Sequence, residues 1–214
     1  MEGRVALVAG STGLIGNQLL ELLLGDSRYS KIIALSRKPL SISHVKLENV
    51  VMEAADLKHH KELLADDVFC CLGTTIKQAK TKEAFRKIDF DYPLELATLL
   101  KANGATQFLL VSALGSDKNS RIFYNQVKGE VEEAIGKVGY TGYHIFRPSL
   151  LIGPRNEARA GENAAKTVYK IFGFLIPAKY KGIESIKVAR AMLNFAKEDK
   201  PGTFIHESLS LQFF

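Results

Sequence analysis

The stretch VALVAGSTGLIGNQLLELLL, residues 5–24, constrains this chain more than any other. It runs from a short β-branched segment, through Gly10, Gly13 and Gly16, into a segment with apolar residues at Leu14, Ile15, Leu19, Leu20 and Leu22 to Leu24. A glycine loop that turns straight from a strand into a helix lets backbone N–H groups and the helix N-terminus approach a pyrophosphate. Its last glycine permits close packing of helix on strand. Gly10, Ser11, Thr12, Gly13, Leu14, Ile15 and Gly16 are therefore expected to form a nucleotide-binding turn, with Gly25-Asp26 ending the helix. A plain tight turn carries glycines too, and it is the flanking strand and helix that favour the nucleotide site.

Apolar, β-branched runs of strand length recur at Val5–Ala9, Lys31–Leu35, Val50–Glu53, Val68–Leu72, Gln107–Ser112 and Tyr143–Phe146, and most of the gaps hold helical periodicity. Such alternation implies an α/β chain with a parallel sheet covered on both faces. A helix from about Lys82 to Ala102 has Thr81 as its cap and closes at Asn103-Gly104. After Pro148 the pattern breaks into Gly/Arg/Pro loops, the segment Thr167–Pro177 and a helix around Ile186–Lys197. With 214 residues, 46% hydrophobic, one domain spanning 1–214 is expected, residues 148–214 folding onto the sheet's C-terminal edge as a substrate-side segment.

Composition narrows the function classes. The net charge of +6 comes from 29 basic and 23 acidic residues spread along the chain, without the dense basic stripe and interleaved aromatics of a nucleic-acid binder. A basic surface of this kind favours small anionic ligands. No apolar run is long enough to span a bilayer and the N-terminus does not read as a signal peptide, so a cytoplasmic protein without membrane contact is expected. Adjacent Cys70 and Cys71 would point to opposite faces of a strand, which suits buried thiols better than a disulfide or a zinc site. The five histidines show no helical ligand spacing, so no metal is expected.

The remaining nucleotide contacts follow from the strand ends. The second strand ends in ALSRKP, at the place where an NAD site would carry an acidic residue for the ribose diol. Arg37 and Lys38 stand there instead, and a guanidinium pairs with a 2′-phosphate, so NADP is favoured over NAD, the alternative being a solvated basic turn. Asp56 and Leu57 follow the third strand, where a carboxylate suits an adenine amino group and a leucine could cover the ring. Leu72, Gly73 and Thr74 end the fourth strand, a place for close backbone approach to a ribose, although a strand-ending turn explains the glycine almost as well.

In RIFYNQVKGEVEEA, Tyr124 and Lys128 are four residues apart, on one face if a helix begins near 118–120. Ser112 ends the fifth strand, at the edge where open α/β sheets bind ligands. An unassisted tyrosine, with a pKa near ~10, is a poor base at neutral pH, and a nearby ammonium favours its phenolate. Lys128 would supply that charge and hold a ribose, Ser112 would donate to a substrate oxygen, and Tyr124 would pass a proton as hydride moves.

A glycine loop followed by this Ser and Tyr-x-x-x-Lys set resembles the short-chain dehydrogenase/reductases. The blocks FCCLGTTIKQA, IDFDYPLELA, VSALGSDKNSRIFYNQVKGEVE and FRPSLLIGPR are similar, in order, to the atypical branch that includes bacterial NAD(P)-binding oxidoreductases and the Tat-interactive-protein group. The resemblance implies a Rossmann-type doubly wound parallel sheet binding NADP, with Pro148, Ser149 and Leu150 near the nicotinamide and a small C-terminal lobe on the substrate side. It also implies that Arg147, before the proline, is structural. Family members with a complete proton relay carry an asparagine where this chain has Asp89.

The leading expectation is an NADP-dependent oxidoreductase of a small carbonyl or alcohol substrate, with Arg155 and Arg159 available to an anionic group. The alternative is an NADPH-binding regulatory or interaction protein with little turnover, and a sugar-nucleotide epimerase ranks last because the tail after Pro148 is short. A homodimer or protein partner is compatible with either.

Overall fold

A computed structural model describes residues 3–153 and 180–214 of the chain. The predicted strands appear as β1 (Arg4–Ala9), β2 (Tyr29–Ser36), β3 (Leu47–Val51, three residues ahead of its expected start), β4 (Asp67–Cys70), β5 (Gln107–Val111) and β6 (Gly142–Arg147), with a pair of two-residue strands, β7 (Leu151–Ile152) and β8 (Ile183–Glu184), beyond them. A further strand, β9 (Gly202–Glu207), completes the sheet. The order is β3-β2-β1-β4-β5-β6-β9, every pairing parallel. This is the expected Rossmann-type sheet. The strand order reverses between β1 and β4, which opens a crevice at their C-terminal ends.

Alternation within each strand builds two cores. Val8, Phe69, Leu109 and Phe146 face α1 (Leu14–Gly25) and the later helix described below, while Leu7, Val68, Phe108 and Leu110 face the helices of the other layer. That other layer begins with short α2 (Ile76–Ala79) and α3 (Lys82–Arg86), capped by the Thr75 and Thr81 hydroxyls. It continues through a π-helical turn at Lys87–Asp91 into α4 (Tyr92–Ala102), and α5 (Phe123–Gly136) lies alongside. The helix expected over 82–102 is thus one run with a bulge in its middle. Gly104, at φ +96°, closes it as the sequence predicts.

The C-terminal residues do more than fold onto the sheet's edge. Helix α6 (Ser185–Glu198) packs Val188, Ala189 and Met192 against Leu19, Leu20 and Leu23 of α1, and β9 extends the sheet beside β6. The last helix, α7 (Ser208–Leu211), buries Leu211, and the Phe214 ring reaches Phe195 at 5.4 Å. The segment Thr167–Pro177 lies outside the described residues.

Candidate functional site

Close backbone approach defines the glycine loop. Gly10 has φ +81°, and a Cβ there would stand 2.6 Å from the Cys71 carbonyl oxygen, because the end of β1 crosses the end of β4 at that point. A Cβ on Gly16 would stand 2.1 Å from the Gly10 carbonyl oxygen, so α1 can start here only on a glycine. Gly13 meets only that same oxygen, at 3.2 Å, and donates its N–H to it at 2.9 Å. Glycine at positions 10 and 16 thus lets β1, the end of β4 and the first turn of α1 pack closely, and that first turn carries N–H groups without helical partners.

Within the loop the side chains divide. Ser11 is wholly buried and its hydroxyl donates to the Leu35 carbonyl at 3.0 Å, tying the loop to the end of β2. Ile15 is a core residue. Both offer a ligand only backbone, whereas Thr12 is exposed. At the end of β2, Asn49 donates to the Ser36 hydroxyl at 2.8 Å and Ser36 donates to the Lys38 carbonyl at 2.7 Å. That pinned turn leaves Arg37 and Lys38 exposed. Asp56 is exposed as well, but Leu57 is packed into the core among Leu63, Ala65 and Leu96. Where a leucine covering a ring was expected, the 3-10 turn Ala54–His59 buries the Leu57 side chain.

The strongest convergence lies between the end of β4 and α5. Lys128 Nζ is 2.7 Å from Asp89 Oδ1, with both side chains 5% exposed or less. The other oxygen of Asp89 accepts the Thr74 N–H at 2.9 Å. A Cβ placed on Gly73 would lie 3.5 Å from Asp89 Oδ1 and 3.7 Å from Lys128 Nζ, so the ion pair sits directly behind that glycine. Burial disfavours the Lys128 ammonium, but Asp89, Tyr124 and Cys70 together outweigh it and hold its pKa above the ordinary lysine value. Burial also pushes the Cys70 thiol up to about 11, and raises that of Cys71, so neither is a nucleophile at neutral pH.

Tyr124 lies in the first turn of α5, which begins at Phe123 and not near 118–120 as the sequence suggests. Its ring rests 5.4 Å from that of buried Phe85 in α3. Tyr124 and Lys128 thus share one face of α5, and that face meets the β4 end beside the glycine loop.

Ser112, expected beside them, is engaged elsewhere. Its buried hydroxyl donates to the Glu132 carboxylate and lies 2.9 Å from the Ser116 hydroxyl. Glu132 is about 12 Å further along α5 than Tyr124, at 1.5 Å per residue. Arg147 completes the group: it reaches both Glu132 oxygens, at 3.1 and 2.6 Å, and Glu207 at 3.1 Å. This network locks the ends of β5, β6 and β9 to α5. Ser112 serves it, so its hydroxyl is engaged by Glu132 and Ser116 and not free.

Two residues that carry this geometry are missed by sequence reasoning. Glu132 looks like one surface carboxylate among several in GEVEEA. Gly129 had a usable signal, a glycine inside a helical pattern. A Cβ on it would stand 2.2 Å from Lys118 N and 2.3 Å from Asp117 C, so it lets the strand-end loop press onto α5 next to Lys128.

Beyond β6, Pro148 is buried and its carbonyl accepts the Leu114 N–H at 2.9 Å. Ser149 donates to the Lys181 carbonyl and accepts from Ser208 at 2.9 Å, while Leu150 is 61% exposed. Arg155 and Arg159 lie outside the described residues.

Comparison with known proteins agrees with this architecture. The chain is 36% identical to Protein HTATIP2 of Rattus norvegicus over 201 residues, covering 91% of this chain and 81% of that protein. It is 30% identical to Protein FMP52-1, mitochondrial, of Scheffersomyces stipitis over 96% of each chain. Among solved structures, the UDP-N-acetylglucosamine 4-epimerase of Methanobrevibacter ruminantium, in complex with UDP-N-acetylmuramic acid, superposes with a TM-score of 0.73 at 18% identity, covering 97% of this chain and 77% of that one. Several fungal relatives are named mitochondrial, which overturns the expectation of a cytoplasmic protein. That expectation came from the lack of an apolar span. Indeed no described helix is long and apolar enough to cross a membrane, but such a lack does not fix a compartment. The model of the NAD-dependent epimerase/dehydratase family matches residues 6–171, and the chain belongs to that family.

Proposed function

We propose that this protein is an NADP-dependent oxidoreductase that interconverts a carbonyl and an alcohol, with Tyr124 as acid/base and Lys128 as its cationic partner. The observation that carries the reading is that Tyr124 and Lys128 share one face of α5, with Lys128 Nζ 3.7 Å from where a Gly73 Cβ would stand, near the sheet's switch point and the glycine loop.

The chain fits a dinucleotide on its own chemistry. The free N–H groups at the start of α1 would hold the pyrophosphate, since glycine at positions 10 and 16 lets the loop and helix pack closely enough to present them. Arg37 and Lys38 would hold the 2′-phosphate that distinguishes NADP from NAD, and Asp56 would accept from the adenine amino group. Leu72, Gly73 and Thr74 would flank the ribose next to Lys128, and Pro148, Ser149 and Leu150 would border the nicotinamide. When bound, the reduced cofactor supplies hydride. Tyr124 gives its hydroxyl proton to the substrate oxygen in reduction and takes it back in oxidation, and Lys128 stabilises the phenolate formed in between. Ser112 acts at a distance, by holding Glu132 and through it the pitch of α5. The described residues act as one unit, with the turn Pro148–Leu150 on the substrate side.

The test is a fluorescence titration of the purified protein with NADPH and NADH, with Arg37→Ala alongside and Tyr124→Phe assayed on an aldehyde and ketone panel. NADPH binding tighter than NADH by about tenfold or more, erased by Arg37→Ala, supports the 2′-phosphate site. Tyr124→Phe that binds cofactor normally and turns nothing over supports the acid/base role. An active Tyr124→Phe enzyme removes Tyr124 from the mechanism.

One observation favours a second reading, a cofactor-binding regulator with little turnover: the hydroxyl of Ser112 is taken up by Glu132. No turnover on the panel, together with a partner whose binding changes when NADPH is added, would support that reading.

A further inference from the structure

We propose that Asp89 is a positioning residue that clamps Lys128 and the turn after β4 into one unit, so that the cofactor's ribose diol meets an ammonium held in one place. The inference rests on the cofactor reading above and deepens it.

The geometry is specific. Asp89 belongs to the π-helical turn between α3 and α4, the bulge that breaks an otherwise continuous helix. Such bulges turn a side chain out of the helical register, and here the Asp89 carboxylate is wholly buried. Its two oxygens are divided between two elements: one lies 2.7 Å from Lys128 Nζ on α5, the other accepts the Thr74 N–H at 2.9 Å. A buried ion pair is a poor device for stability, since well-packed apolar residues of the same volume do as well or better. Function is the better reason for this one. The lid over the pair is Gly73, where a Cβ would stand at ordinary contact distance, 3.5 and 3.7 Å, from the two charged atoms. Lys128 keeps what exposure the pair has, 5% against none for Asp89, so a ribose hydroxyl can accept from the ammonium while the carboxylate stays behind it.

The pair also governs the charge at the site. Three titratable groups face the Lys128 ammonium: Asp89 from the bulge, Tyr124 from α5 and Cys70 from β4. Burial opposes the ammonium and Asp89 is the largest of the groups that favour it. With an amide at position 89 the Thr74 hydrogen bond can persist while the counter-charge is gone. Lys128 then loses its proton at lower pH.

The experiment is an NADPH fluorescence titration of the full chain between pH 6.5 and 10, on the wild type, Asp89→Asn, Lys128→Met, the double variant and Gly73→Ala. The clamp predicts that Asp89→Asn loses affinity by about tenfold or more as the pH rises, with a midpoint at least one unit below that of the wild type. Lys128→Met should bind weakly and without that pH dependence, and adding Asp89→Asn to it should change affinity less than about twofold, because Asp89 acts through Lys128. Gly73→Ala creates no clash, so it should fold normally and still weaken binding by roofing the pair; it decides the matter if Asp89→Asn fails to fold. An Asp89→Asn protein with the wild-type pH profile, additive losses in the double variant, or wild-type affinity in Gly73→Ala overturns the clamp while leaving the cofactor site standing. If the wild type binds neither NADPH nor NADH, the cofactor reading fails, and the clamp with it.

Discussion

Gly129→Ala sets two physical effects against each other with opposite signs. Gly129 lies inside α5, and by intrinsic propensity an alanine there should stabilise the helix by about 1 kcal/mol. The surroundings argue otherwise. The new Cβ would stand 2.2 Å from Lys118 N, 2.3 Å from Asp117 C and 2.7 Å from Asp117 Cα, all backbone atoms that cannot swing aside as a side-chain tip would. The loop must retreat by about 1 Å to restore normal contact. It is held by the Leu114 N–H on Pro148, the Asp117 N–H on the Asn125 carbonyl at 3.1 Å and the Lys118–Glu133 ion pair at 2.9 Å. Overpacking of this kind costs about 1–3 kcal/mol and a broken hydrogen bond about 1 more, so the net after the propensity gain is a loss of roughly 2 kcal/mol. For a chain of this size that is a fall in Tm of about 4–8 °C, measurable by thermal melts followed by circular dichroism with urea denaturation as a second scale. A Tm that is unchanged or raised would show that helix propensity wins and that the loop is not pressed onto α5 as described.

Other expectations concern the loop, the serine and two histidines. Gly16→Ala drives a Cβ to 2.1 Å from the Gly10 carbonyl oxygen, and should abolish NADPH binding even where far-ultraviolet circular dichroism shows a folded protein; retained affinity would remove this glycine from the cradle. Ser112→Ala removes a donor to Glu132, and should lower stability by about 1–2 kcal/mol while changing turnover only a few-fold. A loss of about a hundredfold or more in kcat would restore Ser112 to the reacting centre. His144 and His206 lie 3.0 Å apart through their ring nitrogens, and desolvation lowers both pKa values from 6.5 to about 4. The unfolded chain therefore takes up protons first, so their contribution is complete above about pH 6.5 and is lost as the pH falls toward 4. Two protons set a ceiling of about 2.7 kcal/mol per pH unit, and partial solvation keeps the slope well below it. Urea denaturation at pH 7.5, 6, 5 and 4.5 should show this fall, and His206→Phe should flatten it; an equal slope in the variant would place the acid sensitivity elsewhere.

What could be read from the sequence is what depends on neighbours along the chain. The glycine loop is legible because its meaning lies within one turn, where Gly10 and Gly16 must admit each other's backbone. The central strands β1, β4, β5 and β6 are legible because burial on both faces makes each a nearly continuous apolar run. Strand β9 is not, since its solvent-facing positions Thr203, Ile205 and Glu207 alternate with inward Phe204 and His206 and leave no such run. The site itself depends on pairings distant in sequence. Asp89 shows as a departure from the asparagine of related chains, but that it would reach Lys128 and Thr74 together follows from a π bulge that no local pattern marks. The partner of Ser112 was hidden for the same reason. Its position at a strand end is correct, and its neighbours in sequence say nothing against a free hydroxyl; what claims that hydroxyl is a carboxylate 20 residues later, held in place by an arginine on a third element. A buried serine at a strand end has a free hydroxyl only where the facing helix offers it no partner such as this carboxylate. That condition can be checked in related sequences by the residue four places after the lysine of the Tyr-x-x-x-Lys pair, which here is Glu132.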